Sequence, residues 1–176
     1  MEVVLVRHTS VDVLPGTCYG QTDVPLKDTF QQEAADTTSV LHASAPFDQV
    51  YTSPLSRCTR LAAFCGYPDA QRDARLMEMN FGEWEMQRFE EIEDPQLQTW
   101  YADWQHVSAT GGESFLEQYE RVAQFFTELK LKPYRRVAIF AHGGVLTCAR
   151  MYAEGLTAEE AFASPTPYGG IIHLEI

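Results

Sequence analysis

Val3–Val6 is apolar at every position, and Arg136–Ala141 (Arg-Val-Ala-Ile-Phe-Ala) carries the same kind of run late in the chain. Uninterrupted apolar runs of this length mark strands buried on both faces, the condition of a parallel sheet covered by helices on either side. Phe47–Thr52 and Ala74–Met77 read as two further short strands, and Gly169–Ile176, which alternates, as the last. Helical spacing fills the intervals. Phe30–Ala43 is predicted as a helix, weakened by its Thr37-Thr38-Ser39 run. Ser53-Pro54 supplies an N-cap and a first-turn proline for a helix carrying Leu55, Cys58, Leu61, Ala62 and Cys65, which Gly66 stops. From Glu113, the residues Phe115, Leu116, Tyr119, Val122, Ala123, Phe126 and Leu129 trace one face of a long amphipathic helix that ends before Pro133. His142-Gly143-Gly144 leads from a strand into a helix over Val145–Glu154. Strands alternating with helices, without repeats or a linker, predict an α/β fold with a mostly parallel sheet.

Two segments escape this pattern. Thr9–Asp28 is rich in Gly, Pro, Thr and Asp and reads as a long ordered loop, a length that in compact domains is often functional. Residues 78–112, with Pro95 and the Gly111-Gly112 pair, read as loops and short helices inserted over the active site. The chain has 176 residues, a size for one domain spanning 1–176. With 45% hydrophobic residues it has the composition of a folded protein.

Charge narrows the function. Thirteen Lys and Arg against 25 Asp and Glu leave a formal charge of −12, which excludes a nucleic-acid footprint and docking to an anionic membrane, both of which need basic clusters. An anionic substrate would have to be drawn by a local cationic pocket. The four cysteines, Cys18, Cys58, Cys65 and Cys148, form no CxxC pair and no zinc spacing. No His-x-x-x-His or carboxylate-bridged pattern appears, so neither a metal nor a cofactor is expected. Met1–His8 has no charged leader, and no span is long enough to cross a bilayer; a cytoplasmic, reduced protein is the expectation.

In open α/β sheets ligands bind beyond the carboxyl ends of the strands. Three predicted strands end in chemically loaded segments: Arg7-His8, Ser53-Pro54-Leu55-Ser56-Arg57 and His142-Gly143-Gly144. Helix N-termini after Ser53 and Gly143 would turn backbone N–H groups toward the crevice, and two arginines would add planar donors matched to phosphate oxygens. Together they describe an anion site.

These segments, with Leu76-Met77-Glu78 and Phe81-Gly82-Glu83-Trp84-Glu85, resemble in order and spacing the motifs of the histidine phosphatase superfamily, the phosphoglycerate-mutase-like family. The resemblance implies a three-layer α/β/α sandwich with a mostly parallel central sheet and a metal-independent phosphomonoesterase. In it His8 is phosphorylated, Arg7, Arg57 and His142 hold the phosphoryl oxygens, Glu78 is the proton donor, and Arg7, Arg57, Gln21, Thr22 and Gly143 bind substrate. Physical chemistry agrees with that division of labour, because phosphoryl transfer needs an in-line nucleophile and charge on the equatorial oxygens more than it needs covalent chemistry from the protein.

Three departures set the chain apart from the usual pattern: Thr9 and Met86 stand where glycines are usual, and Ser10–Leu14 replaces the stretch that typically follows the first motif. The last change lowers the prospect of mutase activity. The segment Gly16–Leu26, with Gly20-Gln21-Thr22-Asp23 and Val24-Pro25-Leu26, is similar to the loop of the α-ribazole phosphatases, which remove the 5'-phosphate of α-ribazole phosphate in cobalamin lower-ligand assembly. A broad small-molecule phosphatase, a phosphoglycerate mutase and a non-catalytic phospho-ligand module are the alternatives. The expected partner is a small phosphate ester, and a homodimer is admitted. A benzimidazole-like base would favour an aromatic wall. Tyr19, Trp84, Trp100, Tyr101 and Trp104 are the candidates for it, although the helical spacing of Trp100, Tyr101 and Trp104 more often marks a core stripe.

Overall fold

The computed structural model describes residues 1–176. Five strands, β1 (Glu2–Arg7), β2 (Gln49–Thr52), β3 (Gln71–Arg72), β4 (Arg136–Ala141) and β5 (Ile171–Glu175), form one sheet in the order β3-β2-β4-β1-β5. The pairings β1–β4, β2–β4 and β2–β3 are parallel, and β5 runs antiparallel to β1. The strand tips that carry Arg7-His8, Ser53 and His142 therefore sit side by side, at the ends of β1, β2 and β4.

Alternation within the central strands builds two cores. Val3 and Leu5 of β1 face one side with Val137, Ile139 and Ala141 of β4. There they pack under α4 (Phe115–Leu129), α5 (Gly143–Glu154) and α6 (Ala158–Phe162). Val4, Val6 and Phe140 face the other, under α1 (Phe30–His42) and α2 (Ser56–Phe64). This is the mostly parallel, helix-flanked α/β arrangement that the apolar runs imply. A smaller cluster of Cys18, Trp84, Leu97 and Ala109, with Phe81, Phe89 and Trp100 packed on it, joins the 78–112 segment and α3 (Gln96–Ala102) to the loop that follows β1.

Four local expectations are corrected. Ala74–Met77 is not a strand: Ala74–Leu76 is a single 3-10 turn capped by Asp73, and β3 is the two-residue Gln71–Arg72, whose exposed polar side chains give no apolar signal. Ser53 does not cap α2, which starts at Ser56; Asp23, from the loop after β1, accepts from the Ser56 N–H at 2.9 Å and its hydroxyl at 2.7 Å. Helix α5 starts at Gly143, two residues earlier than the apolar pattern shows, with His142 as N-cap. Helix α6 was not anticipated, although Thr157 and Glu160 form a reciprocal capping box of the kind that also opens α4 at Ser114 and Glu117. No helix is long and apolar enough to cross a membrane.

Candidate active site

Arg7, His8, Glu78 and Gly144 meet at one end of a cleft of about 450 Å³. His8 closes β1 and is buried. Its Nδ1 lies 2.7 Å from the Thr9 carbonyl, which can only accept, so Nδ1 carries the proton and Nε2 keeps its lone pair. Burial first, then the charge of Arg57, push the His8 imidazole down to about 3; the Thr9 carbonyl pulls the other way, and Arg7 adds a smaller push downward. The ring is neutral across the physiological range, as an attacking nitrogen must be.

Arg57 and His142 lie behind His8, both fully buried. The His142 ring meets His8 edge-on, centroids 5.2 Å apart. Arg57 Nε donates to His142 Nδ1 at 3.2 Å, which leaves the His142 proton on Nε2, 2.8 Å from the Ser53 hydroxyl. Burial first, and Arg57 next, hold His142 well below the usual histidine range. The other ends of the Arg57 guanidinium donate to the carbonyls of Thr22, at 3.0 Å, and Gly20.

Those carbonyls are placed by Glu85, which accepts from the backbone of Gln21 at 2.8 Å, from the backbone of Thr22 at 2.7 Å, and from the Thr22 hydroxyl. The Gln21 side chain donates to the Glu78 carbonyl at 3.2 Å. Gln21 and Thr22 are thus brought to the site with their side chains turned to Glu78 and Glu85, and the cleft lining does not include them. Glu85 thereby anchors the loop that holds Arg57.

The Glu78 carboxylate accepts from Gln118 Nε2 at 2.8 Å, from the Met79 N–H at 3.0 Å and from the Gly144 N–H at 3.1 Å. Arg121 of α4 fixes the segment beneath it, donating to the carbonyls of Met77 at 2.7 Å and Glu78 at 3.0 Å while paired with Glu113. The expectation of two open helix N-termini is therefore revised: the α2 terminus is filled by Asp23, and the Gly144 N–H by Glu78. Gly143 leaves room for Arg7, whose Cζ would stand 3.2 Å from a Cβ at that position.

Beyond the polar end, the cleft is walled by Met79, Phe81, Trp100, Trp104, Phe115 and Phe162, with Tyr19 at its mouth. Trp104, Phe115 and Phe162 form a three-ring group with centroids 5.1–5.2 Å apart. Of the five aromatic candidates, Tyr19, Trp100 and Trp104 line the cleft. Trp84 is core, its indole bonded to Asp94 at 2.8 Å, and Tyr101 is outside the lining. Phe81, Phe115, Phe162, Gln118 and Tyr168 were missed. Phe81 stands in the motif that follows Glu78, and Gln118 is a polar residue on the otherwise apolar face of α4; the others come from distant segments and left no trace in the sequence. No group of three or more His, Cys, Asp or Glu side chains is disposed to hold a metal ion.

Residues 3–176 match the histidine phosphatase superfamily (branch 1). An adenosylcobalamin/α-ribazole phosphatase of Escherichia coli is 30% identical over 168 residues, covering 90% of this chain and 82% of that protein. The protein of the same name from Salmonella typhimurium is 31% identical over 155 residues, 84% of this chain and 76% of that one. Among solved structures, the α-ribazole phosphatase of Shigella flexneri superposes with a TM-score of 0.91 at 28% identity, over 100% of this chain and 91% of that chain. A mycobacterial glucosyl-3-phosphoglycerate phosphatase, 21% identical, shares the fold with a TM-score of 0.83 over 98% of this chain and 88% of its own.

Proposed function

The chain belongs to branch 1 of the histidine phosphatase superfamily and is a phosphoric monoester hydrolase, and we propose that it removes the 5'-phosphate of α-ribazole phosphate by way of a phosphorylated His8. The observation that carries the substrate is the aromatic trench that runs on from the Arg7–His8 corner. A phosphoglycerate would leave those rings against water, whereas a ribazole base would stack on them. The relatives named as α-ribazole phosphatases support the same substrate.

In this mechanism His8 Nε2 attacks phosphorus in line, and the ester oxygen leaves with a proton from Glu78. Water then attacks phosphorus and gives its proton to Glu78, the P–N bond breaks with its electron pair returning to His8 Nε2, and inorganic phosphate is freed. Arg7 and Arg57 neutralise the equatorial oxygens, and His142 joins them by trading its Ser53 hydrogen bond for a phosphoryl oxygen. Gln21 and Thr22 act on substrate through the loop they build, and Gly143 through the space it leaves for Arg7. Residues 78–112 serve as the cover of a single domain over 1–176. The reaction is assigned to the cytoplasm, where the four buried thiols stay reduced, and to a monomer or homodimer. The net charge of −12 supports a small phosphate ester rather than nucleic acid as partner.

Phosphate release from α-ribazole 5'-phosphate, 3-phosphoglycerate and an aryl phosphate, with EDTA present, tests this directly. The expected result is a strong preference for the ribazole ester, abolished in His8→Ala. Equal rates on all three would establish a broad phosphatase instead, and transfer without net release a mutase.

A further inference from the structure

The Arg7 guanidinium is closely approached by two distant segments. Gly143 stands so close that a Cβ would lie 3.2 Å from Cζ, 3.3 Å from Nε and 3.5 Å from Nη2. The centroid of the Tyr168 ring is 4.1 Å from Cζ. Arg7 is thus packed by both the start of α5 and a tyrosine 161 positions away in the chain. At one edge Nη1 donates to the Thr166 carbonyl at 2.5 Å. Arg7 Nε is buried and has no hydrogen-bond partner within the protein.

Tyr168 is itself held. Its hydroxyl meets that of Tyr19 at 2.8 Å, and its ring tilts against His8 with centroids 5.5 Å apart. Tyr19 in turn lies 5.5 Å from Arg57 Cζ. Each arginine of the corner therefore has a tyrosine ring near it, and the two rings are joined through their hydroxyls.

We propose that Tyr168 is a positioning residue of the phosphoryl site, its ring clamping Arg7 against Gly143 so that the guanidinium is held in one orientation beside His8 at the cleft. The proposal rests on the assignment of Arg7 as a phosphoryl ligand. An arginine gains most from a tetrahedral anion when its plane is already fixed, since no rotamer entropy is then lost on binding. The rings supply that constraint without competing for the donors, as a carboxylate partner would.

A double-mutant cycle tests it. Tyr168→Leu is expected to lower kcat about 2–5-fold, the size of a cation–π contact at a partly exposed ring, with KM and the thermal midpoint unchanged. Tyr168→Phe, which keeps the ring and loses the Tyr19 bond, should recover most of the loss. In an Arg7→Lys background, where no planar cation remains to be clamped, Tyr168→Leu should cost almost nothing further. An equal cost in both backgrounds, a loss confined to KM, or a Phe variant as poor as the Leu variant would overturn the proposal. Wild-type kcat in Arg7→Lys would instead overturn the assignment of Arg7, a result that the Tyr168 variants do not affect.

Discussion

Replacing Gly144 with alanine displaces the proposed general acid without altering its chemistry. A Cβ at Gly144 would stand 2.3 Å from Glu78 Oε1, with Gln118 Nε2 at 2.8 Å and Gln118 Oε1 at 3.1 Å. All three are the ends of side chains, so the backbone need not move, but the carboxylate has to withdraw by about 1 Å to reach ordinary contact. Gly144 is the second residue of α5 and alanine is the better helix former, so the thermal midpoint should hold or rise slightly. A misplacement of that size costs about 100-fold in rate where geometry governs the step. The loss should depend on the leaving group. An alkyl ester such as α-ribazole 5'-phosphate expels a basic alkoxide and needs the proton, whereas p-nitrophenolate leaves without one. Steady-state kcat on both esters, beside a melting curve, is the assay. We expect about a 100-fold loss on the alkyl ester and less than about tenfold on the nitrophenyl ester. Equal losses on the two, or wild-type turnover of the alkyl ester in a variant with an unchanged midpoint, would refute the placement of Glu78 as proton donor.

The remaining predictions follow from burial, strain and the aromatic wall. His8 and His142 are both held below the histidine value of the unfolded chain, so below about pH 6.5 the unfolded state binds the extra protons, for His8 down to about pH 3. Stability should be full above that window and fall as pH drops through it, by up to about 1.4 kcal/mol per pH unit for each histidine. Urea titrations from pH 7 to 5 should therefore show a shallower slope for His8→Gln than for wild type, and parallel slopes would contradict the burial argument. Met86 sits at φ 65°, a left-handed backbone that costs an L side chain about 1–2 kcal/mol; Met86→Gly should raise the midpoint of thermal unfolding, and a lower midpoint would count against strain there. Phe162→Ala removes one ring of the Trp104–Phe115–Phe162 group at the cleft. It should raise KM for α-ribazole 5'-phosphate about 2–12-fold, the value of one aromatic pairing, and leave 3-phosphoglycerate hydrolysis unchanged. The same increase for both substrates would argue against stacking.

The cationic corner was legible because its residues sit at the carboxyl ends of three strands that the apolar runs identify, and β2, β4 and β1 are adjacent in the sheet. Arg7, His8, Arg57 and His142 then have only one place to meet. The supports of that corner were harder to see. Asp23 caps a helix 33 residues away, Glu85 holds a loop more than 60 residues before it, and Tyr168 covers an arginine across almost the whole chain. None has a local signature, because each is chosen by tertiary placement. The spacing of Trp100 and Trp104 was ambiguous for a physical reason: α3 ends at Ala102, before Trp104, and Trp100 contributes both to the small core and to the cleft wall, so one residue satisfies both readings. Strand β3 was misplaced because an exposed two-residue edge needs no apolar residues, and Leu76, buried in a turn, drew the assignment to itself. The usual glycine replaced by Met86 keeps the glycine-like backbone, which explains how the motif survives the change. Thr9 contributes its carbonyl to His8 Nδ1, and a carbonyl is available from any residue.

Trapping the phosphoenzyme tests the central claim most directly. Enzyme mixed with α-ribazole 5'-phosphate, quenched in base within the first turnovers and digested, should yield a peptide containing His8 that carries one phosphoryl group, stable to base and lost in acid as a phosphoramidate is. The folded His8→Ala variant should yield none. A phosphoryl group found on another residue, or turnover by wild type with no phosphorylated peptide at any time, would contradict the account.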